Sequence, residues 1–493
     1  MTENLESASN PDSLRRIVIE PLTRVEGHGK VTLLADENNE IRQARLHIVE
    51  FRGFERFIQG RPYWDAPVVV QRLCGICPVS HHLAAGKAID RIAGGHELTT
   101  PATRLRELAH FGQILQSHAL HFFLLASPDL LFGFESSLAQ RNFFGVLERH
   151  PDIALKGIKL RKYGQEVIAA VLGKRIHGTG AIPGGMNKAL DTAERDALRI
   201  DLDDILTWSQ DAVNLARECF LANMPENDRF GHMRSNFVSL VRDDGALELY
   251  DGVLRARAPD GQLLFDGVSD QHYHDHIREE VRNWSYMKFP YLSALGMDDG
   301  WYRVGPLARL NNCDFIDTPI AEAERRRFME HGQGGLVHAS LAYHWARMIE
   351  LLHCAEKIRE LLDDPEILSD DLLVKGERRS EGIGVIEATR GTLIHHYEVD
   401  DNDLIRRANL IVATTNNNQA MNEAIRQVAR DKLSGQEIDE PLLNNIEVAV
   451  RAYDPCLSCA THAVGKMPLR VELRNLRGDL LHCLCRNSDG QLS

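Results

Sequence analysis

Two short cysteine pairs lie near opposite ends of the chain, Cys74-Gly-Ile-Cys77 and Cys456-Leu-Ser-Cys459. Two intervening residues turn the backbone back on itself, so both thiolates of a pair can reach one metal. A four-thiolate site requires the fold to bring together Cys77 and Cys456, which are 379 positions apart (456 minus 77). Short-loop zinc sites place the second pair about 15–20 residues after the first. Closure over most of a 493-residue chain demands a core that forms around the metal. Each pair adjoins a proline (Pro78, Pro455) and is followed by a histidine, His81 or His462. Four soft thiolates select zinc, copper(I), iron–sulfur or another thiophilic metal, and the residues alone leave those choices open.

Nine cysteines are too few for a disulfide scaffold, and paired cysteines in a reducing compartment bind metal or do redox chemistry. The first sixteen residues, MTENLESASNPDSLRR, lack the apolar stretch of a secretory signal. No run of 18 apolar residues predicts a membrane span, so a cytoplasmic location is expected. A net charge of −14 argues against nucleic-acid binding. No dinucleotide fingerprint or P-loop is present, so NAD is not expected on this chain itself.

The patterning predicts an α+β, helix-dominated fold: a long-helix bundle flanked by smaller α/β and β-rich parts, with the metal site between the N- and C-terminal motifs. Residues 1–100 hold strands around 17–19, 30–34 and 44–49, with a turn at Asp36–Glu40, and then the first cysteine motif. Residues 101–222 read as helical core, with Leu105, Leu108, Phe111, Leu115 and Leu120 on one face. Residues 223–310 read as a β-rich insertion with Asp-Gly turns at 244–245, 251–252, 260–261 and 266–267. Residues 311–462 return to helical core, with 402–432 read as helical around a polar break at 414–418. Residues 463–493 form a C-terminal extension.

Four segments, in order, resemble the large, catalytic subunit of nickel–iron hydrogenases: Glu20-Pro-Leu-Thr-Arg-Val-Glu-Gly-His-Gly29; Phe51-Arg-Gly-Phe-Glu55 with Arg72-Leu-Cys-Gly-Ile-Cys-Pro-Val-Ser-His81; Ala388-Thr-Arg-Gly-Thr-Leu-Ile-His-His396; and Asp454-Pro-Cys-Leu-Ser-Cys-Ala-Thr-His462. The local wording is most similar to the soluble NAD-reducing (bidirectional) branch. The resemblance implies reversible heterolytic cleavage of H2 at nickel bound by Cys74, Cys77, Cys456 and Cys459. Cys77 and Cys459 would bridge to an iron carrying carbon monoxide and cyanide, and Cys74 and Cys456 would be terminal.

The resemblance also makes Glu26 the first proton acceptor, Arg390 the cation over the open metal position, and Thr414 a donor to an iron-bound cyanide. By the same resemblance His81 would hydrogen-bond near Cys77, and Asp454 would pair with Arg390. Glu55, the Leu410 carbonyl and His462 would hold magnesium. Read without the family, Glu26 is a strand-end ion-pair partner, Arg390 a cap or surface arginine, Thr414 a loop threonine, and Asp454 an N-cap. Ser117 stands where many relatives carry aspartate.

The implied partners are a small iron–sulfur subunit, flavin (FMN)- and NAD-binding diaphorase subunits, nickel-insertion proteins, and a maturation endopeptidase that removes the extension after His462. A permanent strand pair through Leu469–Leu473 is the other reading of that extension. Alternatives for the whole chain are a hydrogenase coupled to a deazaflavin or ferredoxin partner, a non-catalytic relative, and a structural zinc protein. His272-Tyr-His-Asp-His276 is expected to be a solvated helix start, Cys219, Cys313 and Cys354 packing residues, and Arg325–Arg327 a solvated helix face.

Overall fold

The computed structural model describes residues 5–461 and the backbone of 469–474 and 480–486. Chain order begins with an antiparallel sheet of β1 (Arg15–Ile19), β2 (Gly29–Ala35) and β3 (Ile41–Ile48). β2 is the central strand, and Val31, Leu33 and Leu46 are fully buried. The expected hairpin turn falls between β2 and β3, where the Asp36 carboxylate accepts from the amides of Asn38 and Glu40.

Helix α1 (Pro78–Ala93) begins immediately after the first cysteine pair, with Cys77 at its N-cap and Pro78 in its first turn. A proline there loses no hydrogen bond, and the partial positive charge of a helix N-terminus favours a thiolate. Long helices α2 (Thr100–Leu120), α3 (Pro151–Leu172), α4 (Leu202–Ala222) and α5 (Ala342–Asp363) form the bundle, α2 packing on α3 and α5, and α5 on α4. Leu105, Leu108 and Leu115 are fully buried along α2. One continuous apolar core joins these helices to the N-terminal sheet and to the C-terminal motif.

Between α4 and α5 a four-stranded sheet holds β4 (Asn236–Val241), β5 (Val253–Arg257), β6 (Leu263–Val268) and β7 (Tyr302–Arg303), in the order β7-β4-β5-β6. Asp266-Gly267 is not the turn expected. It lies inside β6 as a bulge, Gly267 taking φ +67° opposite a register shift in β5. His272–His276 forms a short helical turn with exposed His272 and His274. Arg326 and Arg327 are solvated as expected, but Arg325 is buried against Glu322 and the Asp314 carbonyl.

A third sheet carries β8 (Glu381–Ala388), β9 (Gly391–Val399) and β10 (Ile405–Ile411), with the Ala388–Gly391 turn at its tip. β10 corrects the helical reading of its segment. The turn at Asp400–Asp403 reverses the chain, and the run that follows pairs with β9 instead of coiling. Helices follow at Ala413–Asn416, Asn418–Val428 and Glu440–Ala452. Gly382 and Gly384 of β8 lie under α1, where an added Cβ would meet the carbonyls of Ala88 and Ala84 at 2.0 and 2.2 Å. Their lack of side chains lets the helix that carries the first cysteine motif sit directly on the sheet that carries Arg390.

Leu469–Arg474 and Leu480–Arg486 pair antiparallel, as the strand reading of the extension requires. His462 lies outside the described residues, as do the side chains of Cys483 and Cys485.

Candidate metal centre

The two cysteine pairs meet. The ligand atoms of Cys74, Cys77, Cys456 and Cys459 all lie within 4.8 Å of one another, and all four residues are buried. Cys74 Sγ is 3.2 Å from Cys456 Sγ, Cys77 Sγ 3.7 Å from Cys459 Sγ, and Cys456 Sγ 2.8 Å from Cys459 Sγ. Hydrogen bonds from Cys456, Cys459 and Cys74 hold the Cys77 thiol well below its ordinary range, while burial pushes Cys456 and Cys459 up. The amides of Ile76 and Cys77 both point at Cys74 Sγ, at 3.2 and 3.3 Å. Four converging sulfurs in a water-poor core are the donor set a soft metal requires.

Glu26 is fastened to the C-terminal pair by its backbone and by its side chain. It forms a bridge with Cys456, its carbonyl accepts from Leu457 N–H, and its Oε2 accepts from Cys456 Sγ at 3.0 Å and Ser458 N at 3.2 Å. Gly27 makes this approach possible. It has φ +82°, and a Cβ there would stand 2.6 Å from Ser458 N. The contacts continue outward: Ser458 Oγ donates to Glu50 Oε2 at 2.9 Å, and Glu50 Oε1 meets Nδ1 of His28, whose side chain is 70% exposed.

Arg390 is buried. Its Nε donates to the Asp454 carbonyl at 2.5 Å and its Nη2 to Asp454 Oδ1 at 3.1 Å. Burial opposes its charge, but Asp454 and the sulfurs of Cys456, Cys77 and Cys74 outweigh it and hold the guanidinium well above its ordinary range. The expected Arg390–Asp454 pair is therefore present, with Asp454 at φ 52° in the left-handed region. Thr414 Oγ1 accepts from Cys456 N–H at 2.9 Å.

The His81 backbone N–H donates to the Cys77 carbonyl at 3.4 Å, and its ring Nδ1 lies 3.1 Å from His395 Nε2. The Glu55 carboxylate accepts from the Leu410 amide at 2.9 Å, so this contact engages the Leu410 N–H rather than the carbonyl expected of it. Burial pushes Glu55 up, against the opposing charge of Lys288. The other half of that expected cation site, His462, is not among the described residues. Ser117 Oγ is buried without a hydrogen-bond partner among the described residues.

Two participants escaped sequence reasoning. Ser458 is an unspecified position within a Cys-x-x-Cys pair, and Glu50 one acid among many. Cys219, Cys313 and Cys354 stay outside the cluster, their thiols pushed up by burial.

Residues 52–132 and 249–462 match the family model described as Nickel-dependent hydrogenase, and residues 16–51 match one described as HoxL-like. The chain is 45% identical to the NAD-reducing hydrogenase HoxS subunit beta of Cupriavidus necator, covering 95% of this chain and 99% of that one. It is also 45% identical to a vhu subunit of the F420-non-reducing hydrogenase of Methanocaldococcus jannaschii, over 84% of this chain and 99% of the relative. The crystal structure of an NAD+-reducing [NiFe]-hydrogenase in the H2-reduced state superimposes with a TM-score of 0.89 at 56% identity, covering 91% of this chain and 99% of that one.

Proposed function

The chain belongs to the nickel-dependent hydrogenase large-subunit family and is an oxidoreductase acting on H2, and from that premise we propose how its residues divide the work. The observation that carries the reading is the convergence of four buried cysteine sulfurs with one of them, Cys456, in contact with a carboxylate. Cys74, Cys77, Cys456 and Cys459 would hold nickel, and Cys77 and Cys459 would also serve an iron that carries carbon monoxide and cyanide. When bound, this metal pair supplies the centre at which H2 is cleaved heterolytically.

Cys456 Sγ takes the proton and passes it to Glu26 Oε2, and Ser458, Glu50 and exposed His28 lead it to solvent. Arg390, kept charged and aimed by Asp454, polarises the substrate, because a guanidinium cannot act as a free base at neutral pH. Thr414 would donate its hydroxyl to an iron-bound cyanide, and Glu55, the Leu410 carbonyl and His462 would hold magnesium.

Electrons leave through a small iron–sulfur subunit to FMN- and NAD-binding subunits. The 56% identity to the NAD+-reducing enzyme favours that acceptor. Equal identity to the F420-non-reducing relative keeps a ferredoxin-type acceptor as the second reading. The protein works in the cytoplasm; among the described residues no helix is long and apolar enough to cross a membrane. A maturation endopeptidase removes residues 463–493 once nickel-insertion proteins have acted.

The test is nickel and iron analysis of the purified complex, an infrared scan for bound carbon monoxide and cyanide, and H2-dependent reduction of NAD. Zinc alone in active material overturns the reading. Cys456→Ser abolishes turnover, and a near-normal rate contradicts its role.

A further inference from the structure

Among the described residues, a second set of metal-ligand atoms converges outside the cysteine cluster. One ligand atom each of Glu381, His396 and Glu398 lies within 4.8 Å of the other two. His396 Nε2 stands 2.6 Å from Glu381 Oε1.

The sheet explains the convergence. His396 and Glu398 are two apart on β9 and therefore share one face. Glu381 of β8 is the direct cross-strand partner of Glu398, and two carboxylates placed opposite each other repel. Opposing charge reaches Glu398 from β10: Arg406 donates to its Oε2 at 2.5 Å and Arg407 to its Oε1 at 3.0 Å. Both arginine side chains lie mostly in solvent, at 72% and 64% exposure. Ion pairs that exposed contribute little, so a divalent cation between the carboxylates displaces them at small cost.

A second imidazole stands beside the first. His274, in the His272–His276 turn, has its ring centroid 6.5 Å from that of His396, with the ring planes 34° apart. Its side chain is 49% exposed and its charged neighbour is Asp275 at 3.7 Å, so a change of rotamer brings its ring onto the same ion. The far nitrogen of His396, Nδ1, is 3.0 Å from the Tyr273 hydroxyl, which also accepts from Asn409 Nδ2 at 3.2 Å. An oxygen held against the far nitrogen is what orients a metal-bound imidazole.

We propose that Glu381, His396, Glu398 and His274 form a second cation site, taking zinc, that fastens the His272–His276 turn to β8 and β9. Two imidazoles and two carboxylates suit zinc, and the lack of sulfur sets this site apart from the cysteine cluster. Four protein donors leave no open position, so the bound ion is structural.

The test uses the assembled complex, freed of loosely held metal on a chelating resin and titrated with zinc chloride by calorimetry. One zinc binds at this site, and the thermal midpoint rises as it does. His274→Ala and Glu381→Gln, both at exposed positions, each weaken the binding at least about 10-fold, while nickel and iron content stays at the wild-type level. At one equivalent, zinc K-edge absorption shows two imidazoles in the wild-type protein and one in His274→Ala, with no sulfur. Absence of zinc binding by the wild-type protein, an affinity unchanged by either substitution, or sulfur in the zinc shell overturns the site. If one variant fails to assemble, the other decides.

Discussion

Glu26 Oε2 stands 3.0 Å from Cys456 Sγ, and the same two residues are also joined through their backbones. The carboxylate is thus placed by main-chain pairing, not by the thiol it serves. Replacing it changes chemistry with little change in position.

Glu26→Gln is expected to retain nickel and iron and to lose H2 oxidation by at least about 100-fold, the lower range for removing a positioned proton-transfer group. Steady-state H2 oxidation alongside metal analysis checks it. Wild-type turnover in the glutamine variant means that the proton leaves by another group.

Glu50→Gln interrupts the route one step further out, between Ser458 and exposed His28. A smaller loss of rate than for Glu26→Gln is expected, together with a larger solvent deuterium isotope effect on turnover. An unchanged isotope effect at an unchanged rate moves the exit elsewhere.

Gly27→Ala puts a methyl 2.6 Å from Ser458 N and 2.7 Å from Ser458 Oγ, on a backbone at φ +82°. Strain of this kind costs about 1–3 kcal/mol. The expected outcome is less nickel per chain and easier thermal unfolding, because the N-terminal strap can no longer close on the second cysteine pair. Full metal content in the alanine protein refutes this.

Glu107 on α2 gives a pH signature remote from the cluster. Burial, followed by the nearby carboxylates of Glu248 and Asp251, pushes it up to about 7 from an ordinary 4.5. Between those values the folded chain holds a proton that the unfolded chain has released. Stability therefore falls as pH rises through that window and levels off above it. Glu107→Gln removes this slope and stabilises the protein at pH 8 by on the order of 2 kcal/mol, discounted for partial exposure. Chemical denaturation at pH 5 and pH 8 measures it, and parallel pH profiles for the two proteins contradict it.

The cysteine cluster could be read from the sequence because two pairs of short, fixed spacing offer four thiolates to one metal, whereas Glu26 came only through the family resemblance, since by itself it reads as a strand-end ion-pair partner. The N-terminal hairpin could be read because Asp36 and its neighbours leave the chain few other options. β10 could not. Its arginines and apolar residues fit a helix locally, and only pairing with β9 decides the matter. Asp266-Gly267 has the residues of a tight turn, yet the neighbouring strand turns it into a bulge.

The joining of Cys74 and Cys77 to a pair 379 positions later (456 minus 77) also sets a clock. At about 5–20 residues per second of synthesis, the first dithiol waits roughly 20–80 seconds before its partners exist. During that interval it is a bidentate chelator open to whichever thiophilic ion arrives first, and copper and zinc bind such donors more tightly than iron(II). Protection of the nascent N-terminal half from those ions is therefore as much a requirement for this enzyme as delivery of the right metals to the finished site.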